Sequence, residues 1–216
     1  MKQIKDHIAN SRTDYSMHYL EETAVDKNPI TQFGTWMKEA IDKKVVEPHA
    51  MVLSTASADG RPSARILLLR NFSQKGFIFY TNYNSRKGKE LKDNPFASIT
   101  FFWHQMERQI RIEGTVKKQS PSDSDAYFKT RPRESRLGAW TSQQSEVVSS
   151  RKNIEKGYKE TEEKYKGIEI PRPAYWGGYI LKPDRLEFWQ GRPRRLHDRL
   201  VYTLKSNKWL IKRLAP

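Results

Sequence analysis

Between Ala50 and Lys117 the chain repeats one pattern: a short apolar run rich in β-branched and aromatic residues, then a link too short to cross a sheet. The runs are Met51–Thr55, Ser63–Arg70, Phe77–Thr81, Ala97–Trp103 and Arg108–Lys117. Apart from one helical stretch, the links are Ala58-Asp59-Gly60, Gln74-Lys75-Gly76 and His104-Gln105-Met106-Glu107. Hairpin-length links suit antiparallel neighbours, whereas parallel strands need long crossovers. The expected fold is an antiparallel barrel or sandwich, mainly β with α additions.

The rest of the chain is read around that sheet. Residues 1–28 are polar and form an arm, with a short helical piece expected at Met17–Ala24. Asn28-Pro29 opens a helix in which Ile30, Phe33, Trp36, Met37, Ala40 and Ile41 recur at helical spacing. Ser85 caps a helix closed by Asn94-Pro95. A helix capped by Ser122 or Asp123 runs to Thr130, Arg133–Trp140 adds a turn, and Ser149–Lys166 is a polar, solvated helix. Tyr175–Leu181, Arg185–Gln190, Leu200–Leu204 and Trp209–Leu214 return to the sheet. The expected organisation is one domain over 29–216 preceded by the arm.

Composition narrows the function. The chain of 216 residues has no cysteine, so disulfides, thiolate metal sites and cysteine nucleophiles are excluded. No apolar run approaches the ~20 residues of a membrane span, and Met1–Tyr15 lacks the apolar core of a signal peptide. The expected location is the cytoplasm. The formal charge of +15 invites a nucleic-acid reading. Yet Lys and Arg are interspersed with Asp and Glu and form no basic tail, a distribution that suits small phosphorylated ligands better.

Several constellations could hold such a ligand. Arg65 and Arg70 bracket the apolar run Ile66-Leu67-Leu68-Leu69, and cations at the ends of a buried strand call for an anion. Tyr80-Thr81 closes a strand just before Ser85-Arg86-Lys87 at a helix N-terminus, a phosphate-sized site. Tyr127, Arg131 and Ser135 recur at spacings of four and would share a face if one helix continued through Pro132. Gln109 and Gln144-Ser145 can read a heteroaromatic edge. Finally, Phe188–Arg199 crowds Trp189, Gly191, Arg192, Arg194, Arg195, His197 and Arg199 into a dozen residues. Guanidinium groups stack on rings and grip phosphate in fork geometry.

Familiar catalytic templates are missing. The sequence has neither G-x-G-x-x-G nor G-x-x-x-x-G-K, neither H-E-x-x-H nor G-x-S-x-G. Its five histidines are scattered singly, so no metal is expected. Cationic sites, many aromatics and few candidate bases suit a bound cofactor that does the chemistry.

The ordered blocks Phe102-Trp103-His104, Glu107-Arg108-Gln109, Arg131-Pro132-Arg133-Glu134-Ser135, Gly138-Ala139-Trp140, Trp176-Gly177-Gly178, Glu187–Gly191 and Arg195-Leu196-His197-Asp198-Arg199 resemble the pyridoxine 5'-phosphate oxidase family along nearly the whole chain. That resemblance implies an FMN-binding, antiparallel split β-barrel with peripheral helices. It implies a homodimer with FMN at the subunit interface and a C-terminal dimerisation region. The implied reaction is oxidation of pyridoxine or pyridoxamine 5'-phosphate by O2 to pyridoxal 5'-phosphate, with hydrogen peroxide released. No nucleic acid or membrane partner is implied. The cofactor set is Arg65, Ile66, Leu67, Leu68, Leu69, Arg70, Tyr80, Thr81, Arg86, Lys87, Gln109, Gln144, Ser145, Trp189 and Arg199. The substrate set is Arg12, Thr13, Asp14 and Tyr15 from the arm, with Arg70, Tyr127, Arg131, Ser135, Arg195, Leu196 and His197. Arg195 and His197 are the implied catalytic pair. Where this chain has Arg70 the family pattern usually has lysine, an exchange that keeps charge but alters reach and hydrogen-bond geometry. The alternatives are a related split-barrel flavoprotein with another substrate, or a pyridoxal 5'-phosphate binder with little turnover.

Overall fold

A computed structural model describes residues 1–216. Its strands are β1 (Ala50–Ala56), β2 (Pro62–Leu68), β3 (Asn71–Ser73), β4 (Gly76–Asn82), β5 (Phe96–Trp103), β6 (Arg108–Lys118), β7 (Trp176–Gln190), β8 (Asp198–Lys205) and β9 (Lys208–Arg213). The helices are α1 (Lys2–Asn10), α2 (Pro29–Asp42), α3 (Arg86–Asp93), α4 (Pro121–Lys129), α5 (Arg133–Thr141) and α6 (Arg151–Lys164). Hydrogen bonding orders the strands β2-β1-β5-β6-β7-β4-β3, with β8 on β7 and β9 on β8. The chain packs as two compact units: Met1–Pro48, Thr100–Arg111 and Arg185–Pro216 form one, His49–Ile99 and Ile112–Asp184 the other.

Local chemistry sets the elements of the second unit. β1 alternates between buried and half-buried positions, and its hairpin with β2 pairs Ala50 with Leu68 through to Ala56 with Pro62. Gly76 opens β4 with φ +132, and a Cβ there would lie 2.2 Å from the Leu181 carbonyl oxygen, so only glycine allows β4 to pair with β7 so closely. The Ser85 hydroxyl caps α3 by accepting from the Gly88 amide. Phe128, Leu137, Tyr165, Ile170 and Trp176 form a buried cluster beneath α4 and α5.

In the first unit the Asn28 side chain caps α2 by accepting from the Ile30 amide at 2.9 Å, and Pro29 takes the first helical position. The buried face of α2 then packs Trp36 edge-on against Phe188, at 5.1 Å between centroids, and Phe33 against Phe101 at 5.3 Å. Phe188 in turn meets Tyr202 of β8. Both Phe188 and Tyr202 are fully buried.

Four sequence expectations need correction. The helical piece lies at Lys2–Asn10, and Met17–Ala24 is irregular. The amides of Ser16 and Met17 donate instead to the Glu107 carboxylate, at 2.9 and 3.0 Å, and the Leu20 amide donates to Asp198 at 3.1 Å. Side-chain acceptors distant in sequence thus replace the helical carbonyls. The cap of α4 is Ser120, because Pro121 occupies the first helical position and needs no partner for a missing N–H. The two strands expected on either side of Pro183 are one, β7, with Pro183 between the stretches paired to β4 and β8. The turn after Pro132 is a full helix, α5.

Candidate active site

In the second unit, β4 ends at Tyr80-Thr81-Asn82 and the chain turns directly into α3, so the start of that helix lies beside the strand end. Lys87 sits in the first turn and is buried. Its ammonium donates only to neutral oxygens: Thr81 Oγ1 at 3.1 Å, Ser85 Oγ at 3.2 Å and Gln144 Oε1 at 2.9 Å. Burial, reinforced by Arg65 and opposed by Glu90, lowers its pKa to about 8. A buried ammonium with no carboxylate among its hydrogen-bond partners, at a helix N-terminus, is matched to an anion.

Arg65 and Arg86 flank the same helix start. Arg65 donates to the Leu53 carbonyl and to Thr55 Oγ1, and pairs with Glu90 at 3.4 Å. Arg86 pairs with Glu90 at 2.9 Å, which answers how two cations are tolerated in a first turn. Ile66 is exposed, Leu69 is buried and Leu68 lies between them. Ser145 lies with Arg86 and Glu90 along a separate depression.

A cavity of about 390 Å³ lies alongside, and Leu67, Arg70, Tyr80, Thr81, Tyr127, Arg131, Ser135 and Gln144 are among its lining residues. Its wall is a stack of rings. Tyr80 and Tyr127 lie 3.7 Å apart, and Trp176 continues the stack 5.5 Å from Tyr80. The Arg131 guanidinium rests 4.4 Å from the Trp176 centroid. Its Nη1 is buried and has no hydrogen-bond partner. Burial lowers the Arg131 pKa, and nearby Arg70 adds to the effect while Tyr127 opposes it. Buried charged donors are rarely left unpaired, and an orphan guanidinium N–H at a cavity wall suits an anionic ligand. Tyr127, Arg131 and Ser135 do line one cavity, although α4 ends at Lys129 and α5 begins after Pro132. The spacing of four thus groups residues of one cavity wall, and no single helix runs through Pro132.

In the first unit, Trp189 pairs with Arg199 across β7 and β8. The Arg199 guanidinium is already held bidentately by Glu187, at 2.8 and 3.1 Å. Gln109 is half-buried on β6. Gly191 follows β7, and a Cβ there would come within 2.7 Å of Tyr15, so the arm lies directly on the glycine. Tyr15 also meets Trp189 edge-on at 5.8 Å and His197 at 6.0 Å, while His197 and Trp189 lie 4.6 Å apart. His197 Nδ1 accepts the Arg192 amide at 3.1 Å, so the neutral ring carries its proton on Nε2. Burial lowers the His197 pKa, Arg195 adds to this and Asp198 opposes it. Arg195 and Leu196 are exposed on a turn where Arg195 has φ +61. Asp14 accepts the Arg194 amide at 3.3 Å, and Arg12 and Thr13 are exposed.

The model of the family described as pyridoxamine 5'-phosphate oxidase matches residues 37–165. The chain belongs to this oxidase family. Residues 176–216 match the pyridoxine 5'-phosphate oxidase C-terminal dimerisation region. A pyridoxine/pyridoxamine 5'-phosphate oxidase of Cyanothece sp. is 51% identical over 209 residues, covering 97% of this chain and 98% of the relative. One from Paraburkholderia phymatum is 54% identical over 210 residues, covering 97% and 99%. Among solved structures, PhzG from Burkholderia lata 383, in complex with tetrahydrophenazine-1-carboxylic acid, superposes with a TM-score of 0.88 at 31% identity, covering 94% of this chain and 100% of that one. A pyridoxamine 5'-phosphate oxidase-related, FMN binding protein from Nostoc punctiforme shares the fold, with a TM-score of 0.67 at 17% identity over 85% and 96% of the two chains. The split-barrel fold with peripheral helices expected for this oxidase family is therefore the fold of the chain. No helix is long and apolar enough to cross a membrane.

Three residues around these cavities escaped the sequence reading. Trp176 read as part of the strand Tyr175–Leu181, and nothing local announces that Tyr80 and Tyr127 stack beside it. Glu107 read as part of a turn, yet it holds the arm. Glu90 stands four residues after Arg86, an i,i+4 pair legible in the sequence but not connected there to Arg65.

Proposed function

We propose that the chain is an FMN-dependent oxidase converting pyridoxine or pyridoxamine 5'-phosphate to pyridoxal 5'-phosphate. The observation that carries this reading is the orphaned, buried Nη1 of Arg131 in a ring-walled cavity shared with Arg70. A phosphate monoester on a flat heteroaromatic ring supplies both the missing acceptor and a stacking partner. Arg70, Tyr127, Arg131 and Ser135 hold that phosphate. An unphosphorylated substrate would leave Arg131 without its anion.

The second cationic site fits the phosphate of FMN. Lys87, with Arg65, Arg86, Tyr80 and Thr81, takes that group at the start of α3, and Ile66–Leu69 runs beside the flavin ring. Gln109, Gln144, Ser145, Trp189 and Arg199 complete the flavin pocket at the interface of a homodimer, some of them supplied by the partner subunit. Bound FMN would supply the two-electron redox chemistry that no side chain here can, with O2 as the final acceptor and hydrogen peroxide as its product. The alcohol and O2 give the aldehyde and peroxide; the amine also consumes water and releases ammonia. Arg195 holds the pyridine ring so that its C4' hydrogen is correctly placed, and positioning of this kind supplies much of the rate. His197 anchors the ring through Nε2–H, and Arg12, Thr13, Asp14, Tyr15 and Leu196 cover it. The protein works in the cytoplasm.

The test is aerobic turnover of the FMN-reconstituted protein with pyridoxine 5'-phosphate. Pyridoxal 5'-phosphate and peroxide should appear in equal amounts; peroxide without the aldehyde would contradict the reading.

A pH dependence follows from Lys87. Only its charged form attracts phosphate, and its pKa in the flavin-free protein is about 8, lowered by burial and then by Arg65, with Glu90 opposing. Binding is therefore coupled to proton uptake above that pH. FMN affinity should be flat from pH 7 to 8 and fall by up to about tenfold per unit beyond it. A flat profile to pH 9.5 would exclude Lys87 from the phosphate site.

A further inference from the structure

Glu90 is the acidic residue on which the cations of the α3 cradle converge. It is buried, and both oxygens of its carboxylate accept hydrogen bonds. Oε2 accepts from Thr55 Oγ1 at 2.5 Å and from Ser63 Oγ at 2.7 Å, and lies 3.4 Å from Arg65 Nη2. Oε1 accepts from Arg86 Nε at 2.9 Å. Thr55 and Ser63 face each other across the β1–β2 hairpin, so both strands present a hydroxyl to the same oxygen. Burial pushes the carboxyl pKa up, but the hydrogen bonds from Thr55, Ser63 and Arg86, with the charge of Arg65, bring it down to about 2. Glu90 is thus an anion at any working pH.

The arrangement holds more positive charge than a structural ion pair needs. One guanidinium would neutralise the carboxylate, yet Arg65 and Arg86 both bind it, and Lys87 feels its charge. Three cations against one anion leave an excess of about two charges, which matches a phosphate monoester dianion. Glu90 grips Arg86 only through Nε, and that leaves the Nη donors of an otherwise exposed side chain for a ligand. Arg65 is held from the hairpin side through Leu53 and Thr55 as well.

We propose that Glu90 is a positioning residue for phosphate recognition, its carboxylate fixing the Arg65 and Arg86 guanidinium groups in the cradle they form with Lys87. The proposal rests on the FMN reading above. It makes a prediction opposite in sign to plain charge counting. Removing an anion beside a phosphate site should tighten binding if charge alone mattered, whereas removing a positioning anion should loosen it.

The experiment titrates the full-length protein with FMN and, separately, with riboflavin, which has the same ring system and no phosphate. Glu90→Gln should weaken FMN binding about tenfold and leave riboflavin affinity within about twofold. Glu90→Asp, which keeps the charge but shortens the reach, should show a smaller loss of the same kind and serves if the glutamine variant does not fold. The pH above which FMN affinity falls should also move down in Glu90→Gln, because Glu90 raises the Lys87 pKa. Unchanged or tighter FMN binding in either folded variant overturns the proposal, as do equal losses for both flavins. Wild-type protein that binds neither flavin would overturn the FMN reading itself, and the assignment of Glu90 with it.

Discussion

Arg131→Met is expected to raise the KM for pyridoxine 5'-phosphate about 100-fold while FMN affinity stays within about twofold. An arginine fork on phosphate makes two charge-assisted hydrogen bonds, each worth roughly 1.5–3 kcal/mol when lost, so even partial compensation by Arg70 leaves a large defect. Methionine keeps the contact with the Trp176 face that the guanidinium makes at 4.4 Å. The same change removes a buried, unpartnered donor from the ligand-free protein. Its thermal stability without ligand should therefore hold or rise. A structural arginine would behave in the opposite way, losing stability with KM unchanged. Steady-state kinetics and a melting curve on one preparation separate the two.

Arg195→Leu is expected to slow anaerobic flavin reduction about 100-fold with FMN still bound. Arg195 is exposed on the turn after β7, whose neighbour His197 is fixed by the Arg192 amide and by packing on Trp189 and Tyr15. The backbone there is left-handed, φ +61, for arginine and leucine alike, so the exchange adds no new backbone strain. What it removes is a planar cation that can hold a pyridine ring over the flavin. Misplacing a reacting carbon by about 1 Å costs roughly two orders of magnitude. Stopped-flow absorbance reads the step directly, and an unchanged reduction rate would release Arg195 from the catalytic role.

The sheet was legible because its chemistry is local. Gly60 and Gly76 mark turns, alternating burial follows from the period of two, and Ser85 announces α3 by itself. The arm was not legible, because the groups that hold it out of a helix, Glu107 and Asp198, lie some 90 and 178 positions away. Tyr127, Arg131 and Ser135, grouped by their spacing, line one cavity although Pro132 stands between α4 and α5. Pro132 redirects the backbone, yet the Arg131 amide still bonds to the Phe128 carbonyl at 3.2 Å and keeps the turn going. Trp176 shows the limit most plainly. A tryptophan at a strand start reads as core, and only the folded chain brings β4, α4 and β7 together as one aromatic stack.

A flavin that oxidises a phosphorylated B6 vitamer is read most simply by an anaerobic absorbance spectrum. The protein is reconstituted with FMN, stripped of oxygen and mixed with pyridoxine 5'-phosphate. The visible absorbance of the oxidised flavin should bleach and return when air is admitted. Bound flavin that stays oxidised in the presence of the vitamer would contradict the proposed function.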